Sequence, residues 1–252
     1  NSLAADLRIA CFVHHIDVTD IAATAAKLAL VSETHDALIV VCPNEPLLSE
    51  TLRSISRRIP VVTMITDLTD SGRIAYVGPD NRQLGRVAGE LMGRFLGPPG
   101  GEVVIVLGMH RMAGHEEREI GFRSVLRERN PQCAIGAALE SAEDQKRAGD
   151  LVYNAFRNNP GINGIYNISA GNAAIASAIQ SLGLEHRTVI ITHEITPERR
   201  SMLRDGIIDA IIDQNPRLEV SRAIEVLGRH FKRIEGDVLG EYTPFHIFIR
   251  EN

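Results

Sequence analysis

The sequence predicts an α/β protein built as two doubly wound parallel-sheet lobes, and three observations carry that expectation. Short β-branched runs alternate with amphipathic helical stretches along the chain. Runs such as Ala37 to Cys42 (ALIVVC) and Ile59 to Ile65 (IPVVTMI) are apolar at consecutive positions, as strands covered on both faces are. Roughly ten such runs are too many for one small sheet, so the chain is expected to divide them between two.

In order, Leu7 to His15 (LRIACFVHH) reads as a strand, and Asp17 to Val31 as a helix with Asp17 or Asp20 as its N-cap. Ala37 to Cys42 is a strand, Pro46 to Arg57 a helix and Ile59 to Ile65 a strand. Ile74 to Val77 is a short strand, after which Asp80 caps a helix reaching about Phe95. The turn GPPGG (Gly97 to Gly101) ends it, because proline cannot extend a helix. Strands at Val103 to Leu107, Ala134 to Leu139, Gly164 to Asn167 and Val189 to Thr192 follow. They are paired with helices at Glu116 to Arg129, Ala142 to Asn158, Ala173 to Leu182 and Pro197 to Asp205. Ala210 to Ile212, a helix near Leu218 to Arg233 and a strand at His246 to Ile249 complete the chain.

The 252 residues are 44% hydrophobic and 23% charged with a net charge of -5, an ordinary globular composition. That acidity, with no dense Lys/Arg stripe, argues against nucleic-acid binding by this segment itself. No run approaches the roughly 18 apolar residues of a membrane helix, so no membrane partner is expected. Residues Asn1 to Asp6 show neither a basic nor an apolar leader pattern. Three cysteines without CxxC spacing make no disulfide framework. Together these features lead to the expectation of a cytoplasmic protein.

Catalytic signatures fail one by one. There is no GxSxG elbow and no GxGxxG after a strand, and GPPGG lacks the Lys-Ser/Thr of a phosphate loop. His14 and His15 are adjacent on an expected strand and would point to opposite faces. The run His115-Glu116-Glu117 places Glu119 where HExxH needs its second histidine. No enzyme activity, metal or cofactor is expected.

Three segments carry a resemblance. They are Ile59 to Met92 (IPVVTMITDLTDSGRIAYVGPDNRQLGRVAGELM), Gly114 to Glu128 (GHEEREIGFRSVLRE), and the tail formed by Leu203 to Pro216 (LRDGIIDAIIDQNP) with Ile247 to Asn252 (IFIREN). Together they resemble the ligand-sensing core of LacI-family transcription regulators, which has the type I periplasmic-binding-protein fold. The resemblance implies three crossovers, a first lobe of residues 1–77 plus 215–241 and a second of 78–214 plus 242–252. It also implies a ligand between the lobes, near the carboxyl ends of strands. Family members begin with a further strand and helix, and carry a DNA-binding helix-turn-helix head. Both are absent from these residues, so a longer polypeptide is expected, touching operator DNA through that head.

The same resemblance points to ligand residues. Arg118 matches the family's sugar-contacting arginine by its spacing to Gly121-Phe122, and a guanidinium fork suits adjacent hydroxyls or a carboxylate; it also reads as a surface arginine among Glu116, Glu117 and Glu119. Ile65 stands where the family often has an aspartate, so Thr66 or Asp67 is expected to take that contact, with an Asx-turn to Thr69 as the other reading of Asp67. Asn167, at a strand end, and Asn172, at a helix start, offer amides to hydroxyls or serve as caps. Glu194 and Gln214 complete the set, while Asp80 and Asn81 read as caps and Phe122 and Tyr166 as core.

The function expected from the resemblance is the dimerising, ligand-sensing core of a LacI-type regulator. Its effector would be a small sugar, polyol or sugar acid; the absence of tryptophan and scarcity of other aromatics turn the expectation towards a small, very polar polyol or sugar acid, between which the sequence does not choose. The alternative is a periplasmic sugar-binding protein of an ABC transporter. Replacing Arg118 is expected to abolish ligand-induced stabilisation and leave the unliganded protein's stability nearly unchanged.

Overall fold

The computed structural model describes residue 4 and residues 6–252. They form two compact α/β units: unit 1 comprises Asn1–Pro79, Arg111–Ala113 and Asn215–Pro244, and unit 2 comprises Asp80–His110, Gly114–Gln214 and Phe245–Asn252.

Unit 1 holds the strands β1 (Leu38–Val40), β2 (Val61–Met64), β3 (Ala75–Gly78) and β9 (Glu241–Tyr242), in the order β1-β2-β3-β9. Every pairing is parallel. Helix α1 (Ile21–Val31) starts where Asp20 accepts the Ala23 N–H, and α2 (Pro46–Ser56) starts on a proline that needs no amide partner. Alternate strand residues face opposite ways. Leu38 and Val40 pack with Leu28, Leu48 and Leu52, while Val62, Ala75 and Val77 pack with Ala223, Val226 and Leu227 of α8 (Pro216–His230).

One expectation fails here. Leu7 to His15 forms no strand: residues 9–17 run without regular structure, and β1 is the edge of its sheet. A strand exists by pairing, and nothing among the described residues lies beside this segment to pair with it. Conversely, the two-residue β9, too short to show a period, escapes the sequence reading.

Unit 2 holds β4 (Gly101–Leu107), β5 (Cys133–Glu140), β6 (Ile162–Asn167), β7 (Val189–His193), β8 (Ala210–Asp213) and β10 (His246–Phe248). Their order is β10-β8-β7-β6-β4-β5, with β10 antiparallel and the rest parallel. Helices α3 (Asn81–Leu96) and α4 (Ala113–Arg129) contribute to one face. There Leu84, Met92, Phe122 and Leu126 meet Val103, Ile105 and Leu107. On the other face Val104, Val106 and Ile165 meet Val152 and Phe156 of α5 (Gln145–Asn158), Ile175 and Ile179 of α6 (Asn172–Ser181), and Met202 of α7 (Pro197–Arg204). Phe122 and Ile105 are fully buried, each contributing roughly 1.5–3 kcal/mol by leaving water.

Two glycines set how closely α3 and α4 approach. A Cβ on Gly85 would overlap the Arg118 carbonyl, and one on Gly121 would overlap the Arg82 carbonyl. The Gly-Arg and Gly-Phe pairs seen in the sequence therefore place Arg118 beside the start of α3.

Candidate functional site

In unit 2, β4 and β6 are neighbours, but the chain leaves them in opposite directions, through α4 to β5 and through α6 to β7. Diverging connections open a crevice at the strands' carboxyl ends, where α/β sheets receive ligands. Polar side chains collect there.

Arg118 is 4% exposed and points inward. Its Nε donates to Asn81 Oδ1 at 2.8 Å and its Nη2 to Gln214 Oε1. Asn81 sits just past the Asp80 cap, whose carboxylate accepts the Gln83 N–H. Gln214, 1% exposed, directly follows β8. The buried guanidinium also acts on two histidines. Burial first, and Arg118 second, push His115 down to about 3 and His193 well below the ordinary imidazole value, so both are neutral. His193 Nε2 lies 2.8 Å from the Tyr166 hydroxyl, and Tyr166 stacks on Phe122 with ring centroids 4.5 Å apart. Tyr166 is core by burial yet polar at its tip.

At the end of β6, Asn167 Nδ2 donates to Asn172 Oδ1 at 3.0 Å, and Asn167 Oδ1 accepts the Ser169 N–H. Gly171, not a side chain, caps α6, leaving the Asn172 amide free of a capping duty. The Asn172 Nδ2 is buried without a protein partner. Glu143 follows β5, its carboxylate seated against Gly108, where a Cβ would overlap it. Burial raises the Glu143 carboxyl, the Ala170 N–H lowers it and the charge of Glu194 raises it again. Glu194, after β7, is held by Arg199 at 3.2 Å. Ala142, Glu143 and Glu194 all have positive φ (55°, 61° and 62°), conformations that L-residues hold only when their surroundings impose them.

Arg118, Asn167, Asn172, Glu194 and Gln214 thus stand at strand or helix ends of unit 2. Thr66 and Asp67 belong to unit 1. Thr66 is buried, following Ile65, whose φ is +67°. The Asp67 carboxylate is taken by Arg73, with Nη2 to Oδ2 at 2.5 Å, and by the Thr63 hydroxyl at 2.7 Å. It has no Asx-turn to Thr69. Sequence reasoning missed His115, His193, Glu143 and, as more than a cap, Asn81. His193 had a signal, a polar residue closing the apolar run VIIT; Glu143 had none. Among the described residues no cluster of metal-ligating side chains exists. The network offers fixed hydrogen-bond donors and acceptors around one buried cation, which suits recognition of hydroxyl groups.

The chain is 27% identical over 146 residues to the D-ribose/D-allose-binding protein of Pseudomonas aeruginosa. It is 22% identical over 179 residues to the ribose import binding protein of Salmonella typhimurium. These matches cover 56% and 69% of this chain, but 44% and 58% of the relatives, so the chain aligns with about half their length. Among solved structures, GanP, a glucose-galactose binding protein from Geobacillus stearothermophilus, superposes with a TM-score of 0.90 at 23% identity. The match spans 100% of this chain and 90% of that one. A solute-binding protein from Actinobacillus succinogenes with bound D-allose gives 0.87 at 20% identity, covering 99% and 90%. These likenesses establish the fold.

The relatives correct the LacI-type regulator reading and its cytoplasmic location. Those named are sugar-binding and import proteins, and neither operator DNA nor homodimer formation finds support in them. The three resembling segments misled because they are strand, turn and helix pieces of the shared fold, which both kinds of protein carry. A profile of the periplasmic binding protein domain matches residues 4–234, and the chain belongs to that family.

Proposed function

We propose that the chain is the sugar-binding part of a periplasmic binding protein serving import, with the strand-end cluster of unit 2 contacting sugar hydroxyls. One observation carries the reading. A guanidinium, four amides and two neutral histidines, most of them buried, converge on the carboxyl ends of β4, β6, β7 and β8, where the sheet's connections diverge. Neutral imidazoles and amides both give and take hydrogen bonds, matching the dual character of a hydroxyl, and the Asn172 Nδ2 is a buried donor awaiting an acceptor. The names of the relatives point to ribose and allose as first candidates.

The test is thermal unfolding and calorimetry with D-ribose, D-allose, D-arabinose, D-glucose and D-galactose. One aldose at 100 times its Kd is expected to add about 2.7 kcal/mol to stability. If none of the five raises the melting temperature at millimolar concentration, the sugar reading is wrong.

A further inference from the structure

We infer that the start of α6 is a carboxylate subsite, so that the sugar taken by unit 2 is a sugar acid whose carboxylate is held by the helix's first-turn N–H groups, Asn172 and Thr192. The inference rests on the sugar reading and narrows its ligand class.

The helix begins without a side-chain cap, for a steric reason. Gly171 is the N-cap residue, at φ 96°, and brings no acceptor of its own. A Cβ on Gly171 would lie 2.7 Å from the Ala148 Cβ and 3.2 Å from the Gln145 carbonyl oxygen. The first turn of α5 therefore excludes the Ser, Thr, Asp or Asn that ordinarily caps a helix. The N–H groups of Asn172, Ala173 and Ala174 have no acceptor within the helix, and no other carbonyl or side chain among the described residues supplies one. Such a turn carries about half a positive charge and attracts anions.

A second observation points to the same place. Asn172 is 5% exposed; its Oδ1 accepts from Asn167, and its Nδ2 is a buried donor without a partner among the described residues. Thr192 is fully buried, and its Oγ1 likewise lacks a partner there. The two lie on one side of the sheet. Asn167 and Thr192 are register partners on β6 and β7, so their side chains share a face. It is the face that α6 covers, because Ile165 and Ile190, one alternation back on each strand, pack with Ile175 and Ile179. Leaving a buried amide N–H and a buried hydroxyl unbonded is costly, and a guest acceptor removes that cost.

The chemistry selects the class. Backbone N–H groups, an amide N–H and a hydroxyl are all able to donate. A carboxylate has two oxygens to accept from them and carries the charge that a helix start favours. The turn already draws a carboxylate of the protein, since Glu143 accepts the N–H of Ala170, just before the helix. A doubly charged phosphate beside Glu143 would be repelled about twice as strongly as a singly charged carboxylate, which favours the carboxylate.

Calorimetry tests this with D-glucose against D-glucuronate and D-galactose against D-galacturonate, pairs that differ only at C6 and keep the ring. One uronate is expected to bind at least about tenfold more tightly than its hexose, an advantage that shrinks in 0.5 M salt. Asn172→Asp keeps an acceptor for Asn167 and puts a carboxylate of the protein at the helix start. The ratio of uronate to hexose affinity is then expected to fall to one or below. Glu143→Gln removes a like charge and is expected to raise that ratio. A hexose that binds as tightly as its uronate overturns this inference and leaves the sugar reading standing, whereas binding of none of the four overturns both. Tighter binding of D-glucose 6-phosphate than of D-glucuronate overturns the carboxylate assignment, and so does an unchanged ratio in both variants. Should Asn172→Asp not fold, the Glu143→Gln ratio decides, and no rise in it overturns the inference.

Discussion

The two units obey one rule, a mostly parallel sheet covered by helices on both faces, and differ in the number and length of their strands. In unit 2 six strands stand side by side, the seven-residue β4 is flanked by β5 and β6, and both faces close into large apolar clusters. In unit 1 the sheet has four strands of two to four residues and ends at the open β1 edge. Both units place residues of positive φ just beyond their strand ends: Ala142, Glu143 and Glu194 after strands of unit 2, and Ile65 after β2 of unit 1. A left-handed conformation at a β-branched residue such as Ile65 is unusual enough to mark an imposed loop. Yet the dense buried polar cluster lies in unit 2, where a buried guanidinium finds the fixed hydrogen-bond partners that its desolvation requires. In unit 1 the charge beyond the strand end, Asp67, stays partly exposed and pairs locally with Arg73.

The sharpest test of that contrast is Arg118→Ala. It takes the cationic donor from buried Asn81 Oδ1 and Gln214 Oε1, so unit 2 is expected to lose about 1–3 kcal/mol and, with it, any sugar-induced shift in melting temperature. The geometry here revises the expectation of a nearly neutral effect, since the arginine is braced by two buried partners. Unliganded stability within about 0.5 kcal/mol of the parent would show that the bracing counts for little.

Next in size is the pH response of unit 2. His115 and His193 are held neutral in the folded chain, below the ordinary value near 6.5. The unfolded chain binds their protons as pH falls through 6.5 and the folded one does not. Stability is therefore complete above pH 6.5 and lost below it, by up to about 1.4 kcal/mol per histidine per pH unit. Glu143 acts in the opposite sense, because burial raises its carboxyl in the folded state. Between pH 6.5 and 5, melting curves should shift downward, less steeply in His115→Gln. Equal slopes in the two proteins would contradict a buried neutral His115.

Much of this was legible in the sequence, for identifiable reasons. Consecutive apolar runs such as Val103 to Leu107 announced buried strands, since the run itself is the physical cause of two-faced burial. The Arg118 to Gly121-Phe122 spacing was readable because Gly121 is demanded by a close helix contact. Leu7 to His15 has strand composition but no strand partner among the described residues, and composition does not encode neighbours. Glu143 meets Gly108 and Ala170 across strand connections, so its place follows from topology, not from any local pattern. The choice between regulator and transport protein was illegible for the same reason. The quoted segments encode the shared scaffold.

The smallest expected effect is the one that best separates the units. Asp67 and Arg73 form an ion pair with side chains 27% and 24% exposed, and Asp67 also accepts from Thr63. A partly exposed pair contributes at most about 1 kcal/mol, because water already screens it and two side chains must be held still. Asp67→Asn keeps the shape and an acceptor for Thr63 while removing the charge. It should lower unit 1 stability by about 0.5–1 kcal/mol, an effect that shrinks in 0.5 M salt, and leave sugar affinity measured by calorimetry unchanged. A tenfold loss of affinity would place Asp67 among the sugar contacts and move part of the site into unit 1.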